Sequence, residues 1–313
     1  MFKKVRRIGK EWVEAAYNAC FNRPVGYIYM FHMVCPKADL LAPIDELRVS
    51  PDFFENFLRE HQKRLDFISI NDLHARMNNK QRSDKPFGII TFDDGYEDNF
   101  TYAYPILKKL NIPFVIYISA GLVNDHAPIW NYPLIIERIV KKNDELIIGG
   151  KKYVCQTQEQ KNDTFLKLKG LLFSLPYAHL REDFRRLFAE YLTDDVFPQN
   201  TLTWEQIAEL SKDPLCTIGS HTMTHCRLTI TDIASLQYEL GESKSLLEQH
   251  VCKPVEHLSY PYGWKTDVSA EAIAFAQQIG YKTALRSFGG PVREKDDDLY
   301  NIKRIQVSED LHR

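Results

Sequence analysis

The residues Gly-Ile-Ile-Thr-Phe-Asp-Asp-Gly-Tyr at positions 88–96 combine a short apolar run with two adjacent carboxylates and a glycine. The β-branched and aromatic residues of the run predict a buried strand. Gly95 permits a sharp backbone turn directly after that strand. Because successive side chains of an extended chain point in opposite directions, Asp93 and Asp94 can serve different purposes. An ordinary strand followed by an Asp-Gly turn is the competing interpretation at this point.

The composition of the chain limits the classes of protein to which it can belong. Its 313 residues, 44% hydrophobic and 26% charged, are enough for one large barrel-type domain or two ordinary ones. A formal net charge of −2 gives no reason to expect a nucleic-acid partner. The six cysteines include no Cys-x-x-Cys pair, which favours free thiols in a reducing compartment.

The first 24 residues differ from the rest of the chain in composition, because lysines and arginines alternate there with apolar residues. This spacing fits a basic amphipathic helix over residues 1–21, which could lie on an anionic membrane surface or pack against the rest of the protein. No apolar run reaches the roughly 18 residues that a membrane span needs, and no signal peptide is visible. We therefore expect a cytoplasmic protein, with a peripheral position at the inner membrane face as an alternative.

Residues 25–313 alternate between strand-like and helix-like segments, which predicts an α/β barrel built on parallel strands. The segments with strand composition cover residues 25–32, 66–70, 88–92, 113–119, 216–219, 255–260, 281–286 and 300–307. Residues 122–201 instead have a mostly helical pattern with lysine-rich breaks and a turn at Gly149 and Gly150. We interpret them as a helical insertion within the barrel.

Two histidines follow the predicted strand at residues 216–219. His221 and His225 are four residues apart, a spacing that puts two side chains on one face of a helical turn. Two such imidazoles form half of a divalent-metal site, although the pair alone is weak evidence. If both strands belong to one parallel barrel, the aspartates and the histidines meet at the same rim. An aspartate with two histidines leaves coordination positions open, as a catalytic metal site requires.

With these motifs the sequence resembles the polysaccharide deacetylases, the NodB-homology or carbohydrate esterase family 4 group. Residues 91–96 (Thr-Phe-Asp-Asp-Gly-Tyr) are similar to the first motif of that family, residues 220–225 to the second, and residues 260–263 (Tyr-Pro-Tyr-Gly) to the third. The resemblance spans residues 25–307 apart from the insertion. It implies a distorted (β/α)7 barrel and a metal-dependent hydrolase that removes N-acetyl groups from a polysaccharide or glycan precursor and releases acetate.

The resemblance also implies a role for each motif residue. Asp94, His221 and His225 would hold a divalent metal, with Zn²⁺ as the first choice and Co²⁺, Ni²⁺ or Mn²⁺ as alternatives. Asp93 would be the base that takes a proton from the metal-bound water. The amide of Tyr262 would stabilise the oxyanion, and its ring would form a wall of the pocket.

The sequence departs from the family pattern in two informative places. Where the third motif often carries an arginine this chain has Ser259, which weakens the expected tuning of Asp93. The usual leucine-x-histidine motif near the C-terminus is also missing. Instead, residues 29–32 (Tyr-Met-Phe-His) resemble a strand of the subgroup with circularly permuted motifs, whose members act on exopolysaccharides such as poly-N-acetylglucosamine. His32 would then be the general acid that protonates the leaving nitrogen.

Two other functions stay open on the sequence alone. The first is a deacylase of the same fold that acts on a lipid-linked sugar at the cytoplasmic membrane face. The second is a non-catalytic glycan-binding module. The intact set of carboxylates and histidines argues against that module, because binding alone does not need a base beside a metal.

Overall fold

A computed structural model of the chain describes residues 24–37, 39–77, 83–123, 131–196, 201–294, 296 and 298–309. The predicted basic segment at residues 1–24 lies outside this part of the chain except for its last residue, with which the first strand begins. Among the described residues, no helix combines the length and the apolar character that a membrane crossing requires.

Strands and helices alternate along the described chain. The strands are β1 (Pro24–Phe31), β2 (Met33–Val34), β3 (Arg48–Val49), β4 (Asp66–Phe67), β5 (Phe87–Phe92), β6 (Phe114–Ile118), β7 (Glu145–Ile148), β8 (Lys151–Val154), β9 (Cys216–Ser220), β10 (His257–Ser259), β11 (Thr283–Leu285), β12 (Val292–Arg293) and β13 (Ile305–Gln306). The α-helices are α1 (Ala42–Asp45), α2 (Pro51–Gln62), α3 (Leu73–Met77), α4 (Tyr104–Leu110), α5 (Tyr132–Lys142), α6 (Gln158–Ser174), α7 (Leu180–Phe188), α8 (Trp204–Lys212), α9 (Ile233–Leu236), α10 (Ser243–Val251) and α11 (Ala270–Gln278). Two π-helical segments, Asn99–Ala103 and Gln237–Glu242, precede α4 and α10.

The central strands of the main sheet are parallel and follow the order β11, β10, β9, β6, β5, β1. β4 pairs in parallel with β5 and β13 with β1, whereas β12 pairs antiparallel with β1. The register aligns the strand ends, since Phe31 lies opposite Phe92, and Ser220 lies opposite both Ile118 and Leu258. The carboxyl ends of these strands therefore form one rim.

The C-terminal segment joins the two ends of the parallel sheet. Arg286 N donates to Ile302 O at 2.7 Å beside β11, and Ile305 then pairs in parallel with Tyr29 of β1. The sheet thus curls into a distorted (β/α) barrel, which confirms the predicted fold class. The predicted strand over residues 300–307 is regular only at β13, because its backbone divides its hydrogen bonds between β11 and β1.

Both faces of the central strands are buried. Ile89 and Ile28 pack in one apolar cluster, whereas the neighbouring residues Ile90 and Tyr29 pack in another. This division is what parallel strands covered on both sides require, and it explains why β5 is buried at every position.

Residues 131–196 contain α5, α6, α7 and a hairpin, and their apolar side chains form a further cluster. The hairpin pairs β7 with β8 through Gly149 and Gly150, whose φ values of +58° and +77° suit a tight two-residue turn. The turn was predicted but the strands were not. Ile147 is apolar but 56% exposed, at a position where a strand with one buried face would carry a polar residue. The sequence therefore lacks the alternation of polar and apolar residues that would have indicated a strand.

A buried histidine lies at the end of the barrel opposite the rim. His257 begins β10, where its Nε2–H donates to Asn71 Oδ1 at 2.9 Å and its Nδ1 accepts from the Thr283 hydroxyl at 2.9 Å. Burial lowers the pKa of His257 from 6.5 to about 4. The imidazole is therefore neutral in the folded protein at neutral pH.

We expect this histidine to make the fold sensitive to acid between about pH 6.5 and pH 4. As the pH falls below 6.5, the unfolded chain binds a proton that the folded His257 does not. The free energy of unfolding therefore decreases, by up to about 3 kcal/mol, until the folded group also titrates. His257→Gln should flatten this part of the pH dependence in urea-unfolding measurements. His74→Gln, at an exposed position of α3, is the control, and an equal slope in both variants would contradict the assignment.

Candidate active site

The strand ends at the rim carry the residues that the sequence singled out. These are His32 after β1, Asp93 and Asp94 after β5, His221 after β9, and Tyr262 in the loop after β10. His225 lies in the same loop as His221. The parallel register therefore brings residues that are up to 230 positions apart in the chain to one place.

Asp94, His221 and His225 form a compact cluster. Asp94 Oδ1 lies 3.4 Å from His221 Nε2 and 3.1 Å from His225 Nε2. One oxygen or nitrogen from each of the three residues lies within 4.8 Å of the others. Asp94 Oδ1 is buried, yet it has no well-aligned hydrogen-bond donor among the described residues. The set of one carboxylate and two imidazoles fits a divalent cation.

The neighbours of this cluster determine the orientation of His221 and the charge of Asp94. His221 Nδ1–H donates to the Ser259 carbonyl at 2.7 Å, which orients the ring so that Nε2 faces Asp94. Burial alone would raise the pKa of Asp94, but the His225 charge and contacts with both imidazoles bring it well below its usual range. The carboxylate is therefore ionised at neutral pH.

The two histidines do not lie on a helical turn, contrary to the prediction. Thr222 and His225 have φ values of +68° and +57°, which are incompatible with a right-handed helix. The loop is instead held by Glu239, whose Oε2 accepts hydrogen bonds from the backbone N–H groups of Met223 at 3.1 Å and Thr224 at 3.0 Å.

Glu239 lies in the π-helical segment Gln237–Glu242, which joins α9 to α10. Such segments are frequent at functional sites. The Oε1 atom of Glu239 accepts from the Thr224 hydroxyl at 2.6 Å and from the Tyr177 hydroxyl at 2.7 Å. One buried carboxylate thus joins the histidine loop to the part of the chain at residues 131–196.

Asp93 is held by an arginine that the sequence did not predict for the site. Arg304 donates from Nη1 to Oδ1 and from Nη2 to Oδ2, both at 2.7 Å, and both side chains are buried. The Ser259 hydroxyl also donates to Oδ2, at 3.2 Å. Burial alone would raise the pKa of Asp93, but the charges of Arg304 and His221 lower it below its usual value.

The expectation that Ser259 weakens the tuning of Asp93 is therefore wrong. The arginine that is absent from the third motif is replaced by Arg304, which comes from the segment that closes the barrel. The sequence carried only a partial signal, because Lys303 and Arg304 are both charged residues within an otherwise strand-like stretch at residues 300–307.

His32 and Tyr262 flank the two aspartates. Burial lowers the pKa of His32, and the charges of Asp94 and Asp93 offset this effect only in part. The Tyr262 ring packs edge-on against His225 with 4.9 Å between ring centres, and its backbone has a φ of +62°. Within the described part of the chain, the Tyr262 N–H has no backbone acceptor.

Helix α6 adds two side chains that we did not predict for the site. The Phe173 ring lies 4.7 Å from the Tyr262 ring, and the Lys169 ammonium lies 5.7 and 5.9 Å from the centres of these two rings. Burial lowers the pKa of Lys169, although Asp94 partly offsets the effect. The spacing of four residues, which places Lys169 and Phe173 on one face of α6, was the available signal.

Comparison with known proteins agrees with this geometry. The family model for "Polysaccharide deacetylase" matches residues 80–284, which is more than half of the chain. The chain belongs to the polysaccharide deacetylase family. It is therefore a carbohydrate deacetylase, a hydrolase that acts on the carbon–nitrogen bond of N-acetyl groups in glycans. The matched region contains both aspartates, both cluster histidines and Tyr262, whereas His32 and Arg304 lie outside it.

Individual relatives of this deacetylase are distant in sequence. The "Putative polysaccharide deacetylase YxkH" of Bacillus subtilis (strain 168) is 20% identical to this chain over 281 residues. The match covers 90% of this chain and 71% of YxkH. IcaB from Ammonifex degensii has a TM-score of 0.60 at 17% identity, over 92% of this chain and 94% of that chain. The Streptococcus pyogenes deacetylase PplD, solved in complex with acetate, has a TM-score of 0.59 at 18% identity, over 91% and 94%. These structures show a shared fold.

We expect Glu239→Ala to disable this deacetylase by releasing the histidine loop. The variant leaves the Thr224 N–H without its acceptor, together with the hydroxyls of Thr224 and Tyr177, whereas the Met223 N–H keeps its bond to the Glu239 backbone carbonyl at 3.0 Å. The free energy of unfolding should therefore decrease by about 1 to 3 kcal/mol. The rate of acetate release should also decrease, because the loop carries His221 and His225. Glu239→Gln should lose much less, since its amide oxygen can accept from the N–H groups and its NH₂ can donate to the two hydroxyls.

The matched control is Glu242→Ala, which removes an exposed carboxylate from the same π-helical segment. Its free energy of unfolding should stay within about 0.5 kcal/mol of the parent value. If Glu239→Ala and Glu242→Ala have the same free energy of unfolding and the same rate of acetate release, Glu239 does not hold the loop.

Proposed function

We propose that this deacetylase is a metal-dependent de-N-acetylase of a polysaccharide, with Asp94, His221 and His225 as the metal ligands. The observation that supports the proposal is the convergence of one carboxylate oxygen and two imidazole nitrogens within 4.8 Å, beside a second carboxylate that is bound elsewhere. This donor set suits Zn²⁺ and leaves room for water and substrate. Co²⁺, Ni²⁺ and Mn²⁺ are alternatives for the same ligands.

A divalent metal held by these three residues would supply Lewis acidity. Asp93 takes the proton of the attacking water. Arg304 and Ser259 hold the Asp93 carboxylate in one orientation. Its Oδ2 atom accepts two of these hydrogen bonds and its Oδ1 atom only one, so Oδ1 keeps a lone pair for that proton. The backbone N–H of Tyr262 is the donor to the oxyanion that forms on the former carbonyl. The Tyr262 ring covers the side of the pocket next to His225.

His32 is the general acid in this proposal. Cleavage of an amide requires a proton on the leaving nitrogen, because an amine anion is too basic to depart. His32 lies on the rim beside β5, close enough for the charges of both aspartates to act on it. Its lowered pKa makes the protonated imidazole a stronger acid than free imidazole.

The other functions are less well supported. A lipid-linked sugar substrate, contact with the membrane and a cytoplasmic location stay predictions, because they depend on the segment at residues 1–21, outside the described part of the chain. Membership in a family of hydrolases argues against a non-catalytic glycan-binding module.

The roles of the two aspartates can be separated by substitution. Asp94→Asn should lose zinc and activity together, because it removes a charged ligand. Asp93→Asn should keep zinc and lose about 10²- to 10⁴-fold in kcat, because the metal ligands stay and the proton acceptor is lost. Since this substitution also removes the charge that pairs with the buried Arg304, the kinetic comparison is made at a temperature where the unfolding curve shows the variant to be folded. Zinc is measured by elemental analysis after dialysis, and acetate release is measured on N-acetylglucosamine oligomers. Equal loss of zinc from both variants would show that the two roles are wrongly divided.

His32 can be tested by changing the leaving group. His32→Ala should lower kcat on an N-acetylglucosamine oligomer by about 10²- to 10⁴-fold. An activated aryl acetate, whose leaving group needs no proton, should lose far less. If both substrates lose equally while zinc content and the unfolding curve match the parent, His32 takes no part in proton transfer.

A further inference from the structure

A cleft of about 990 Å³ adjoins the candidate active site. It lies between the loop after β10 and the segment after β11, and Gly263, Trp264, Arg286 and Phe288 are part of its lining. Because β10 and β11 are neighbouring parallel strands, both segments leave the barrel at the catalytic rim. Gly263, which is part of the lining, directly follows Tyr262 in the chain.

An aromatic platform forms one wall of this cleft. The Trp264 side chain is 56% exposed, and its ring stacks on Phe288 with 3.9 Å between ring centres and 22° between ring planes. Phe288 thus supports one face of the indole and leaves the rest accessible. A large exposed aromatic group in a concave site is a feature of ligand-binding surfaces.

The backbone beneath the platform is fixed. Trp264 N donates to Asp267 Oδ2 at 3.1 Å, and the Trp264 carbonyl accepts from Arg286 Nη1 at 3.0 Å. Gly263 has a φ of +66°, and a Cβ there would lie 2.4 Å from Ser287 N. A side chain held in this way loses little conformational freedom when a ligand binds.

Polar groups surround the platform. Arg286, Asn301 and Lys303 line the same cleft, and Arg286 Nε donates to Asn301 Oδ1 at 2.9 Å. A pyranose ring has an apolar C–H face that an indole can cover, and hydroxyl groups at its edge that need polar partners. The chemistry of the cleft therefore matches a sugar unit.

We propose that the cleft binds a sugar unit of the same glycan strand, next to the unit that is deacetylated, with its ring stacked on Trp264. This inference rests on the proposed function and adds to it a binding position for the neighbouring sugar unit. Trp264 is only two residues from Tyr262, so their Cα atoms are at most about 7 Å apart. A monosaccharide would leave the cleft empty.

The experiment compares an N-acetylglucosamine pentasaccharide with N-acetylglucosamine itself. Trp264→Ala should raise KM for the pentasaccharide about tenfold, because it removes the stacking surface. Its kcat/KM for the monosaccharide should decrease far less. Trp264→Phe should restore much of the affinity for the pentasaccharide. Ile233→Ala, which shortens a side chain that is 72% exposed elsewhere on the surface, should change neither substrate.

A binding measurement separates this proposal from the catalytic one. In an Asp93→Asn background, calorimetry with the pentasaccharide should show about tenfold weaker binding after Trp264→Ala. Equal losses on both substrates, or unchanged pentasaccharide binding, would overturn the cleft proposal while leaving the deacetylase activity intact. Failure of the parent enzyme to release acetate from either sugar would instead contradict the proposed function, and calorimetry would still report on the cleft.

Discussion

The buried ion pair between Asp93 and Arg304 connects the end of the central strand β5 to the segment that closes the barrel. Neither side chain is in contact with water, so removal of one partner would leave an uncompensated buried charge, typically at a cost of about 3 to 5 kcal/mol. Ser259 at the end of β10 bonds to both groups. The same ion pair therefore closes the barrel and orients Asp93. If the C-terminal segment does not dock, this carboxylate is not held in position.

The backbone conformation of the neighbouring Asp94 directs its side chain away from this ion pair. Its φ of +71° turns the chain so that its carboxylate faces His221 and His225, while the carboxylate of Asp93 faces Arg304. Burial would raise the pKa of both groups, yet Arg304 lowers the pKa of Asp93 and His225 lowers that of Asp94, while His221 acts on both. Two adjacent carboxylates thus remain ionised side by side, each with a different main partner. This separation is the physical basis for the proposal that one of them binds a metal and the other accepts a proton.

The fold and the meeting of the motifs could be predicted because their signals are local. β5 and β9 follow directly from their apolar runs, and the polar residues that follow each strand must lie at the rim. Arg304 could not be placed in this way, since its partner is 211 residues away and the strand around it is mostly irregular. The histidine loop was predicted as helix because four-residue spacing ignores tertiary contacts. Glu239, from a later helix, holds that loop in a conformation that the spacing alone does not reveal.

The surroundings of Tyr262 are asymmetric, and this asymmetry bears on how a glycan can lie in the site. On one side, Phe173 and Lys169 of α6 cover the Tyr262 ring, and the cavity next to it measures only about 70 Å³. On the other side, the cleft at Trp264 measures about 990 Å³. There is therefore more room beside Trp264 than beside α6 for the neighbouring sugar unit of the proposed complex. In that complex α6 would bound the site on one side, and the loop after β10 would connect the catalytic cluster to the cleft.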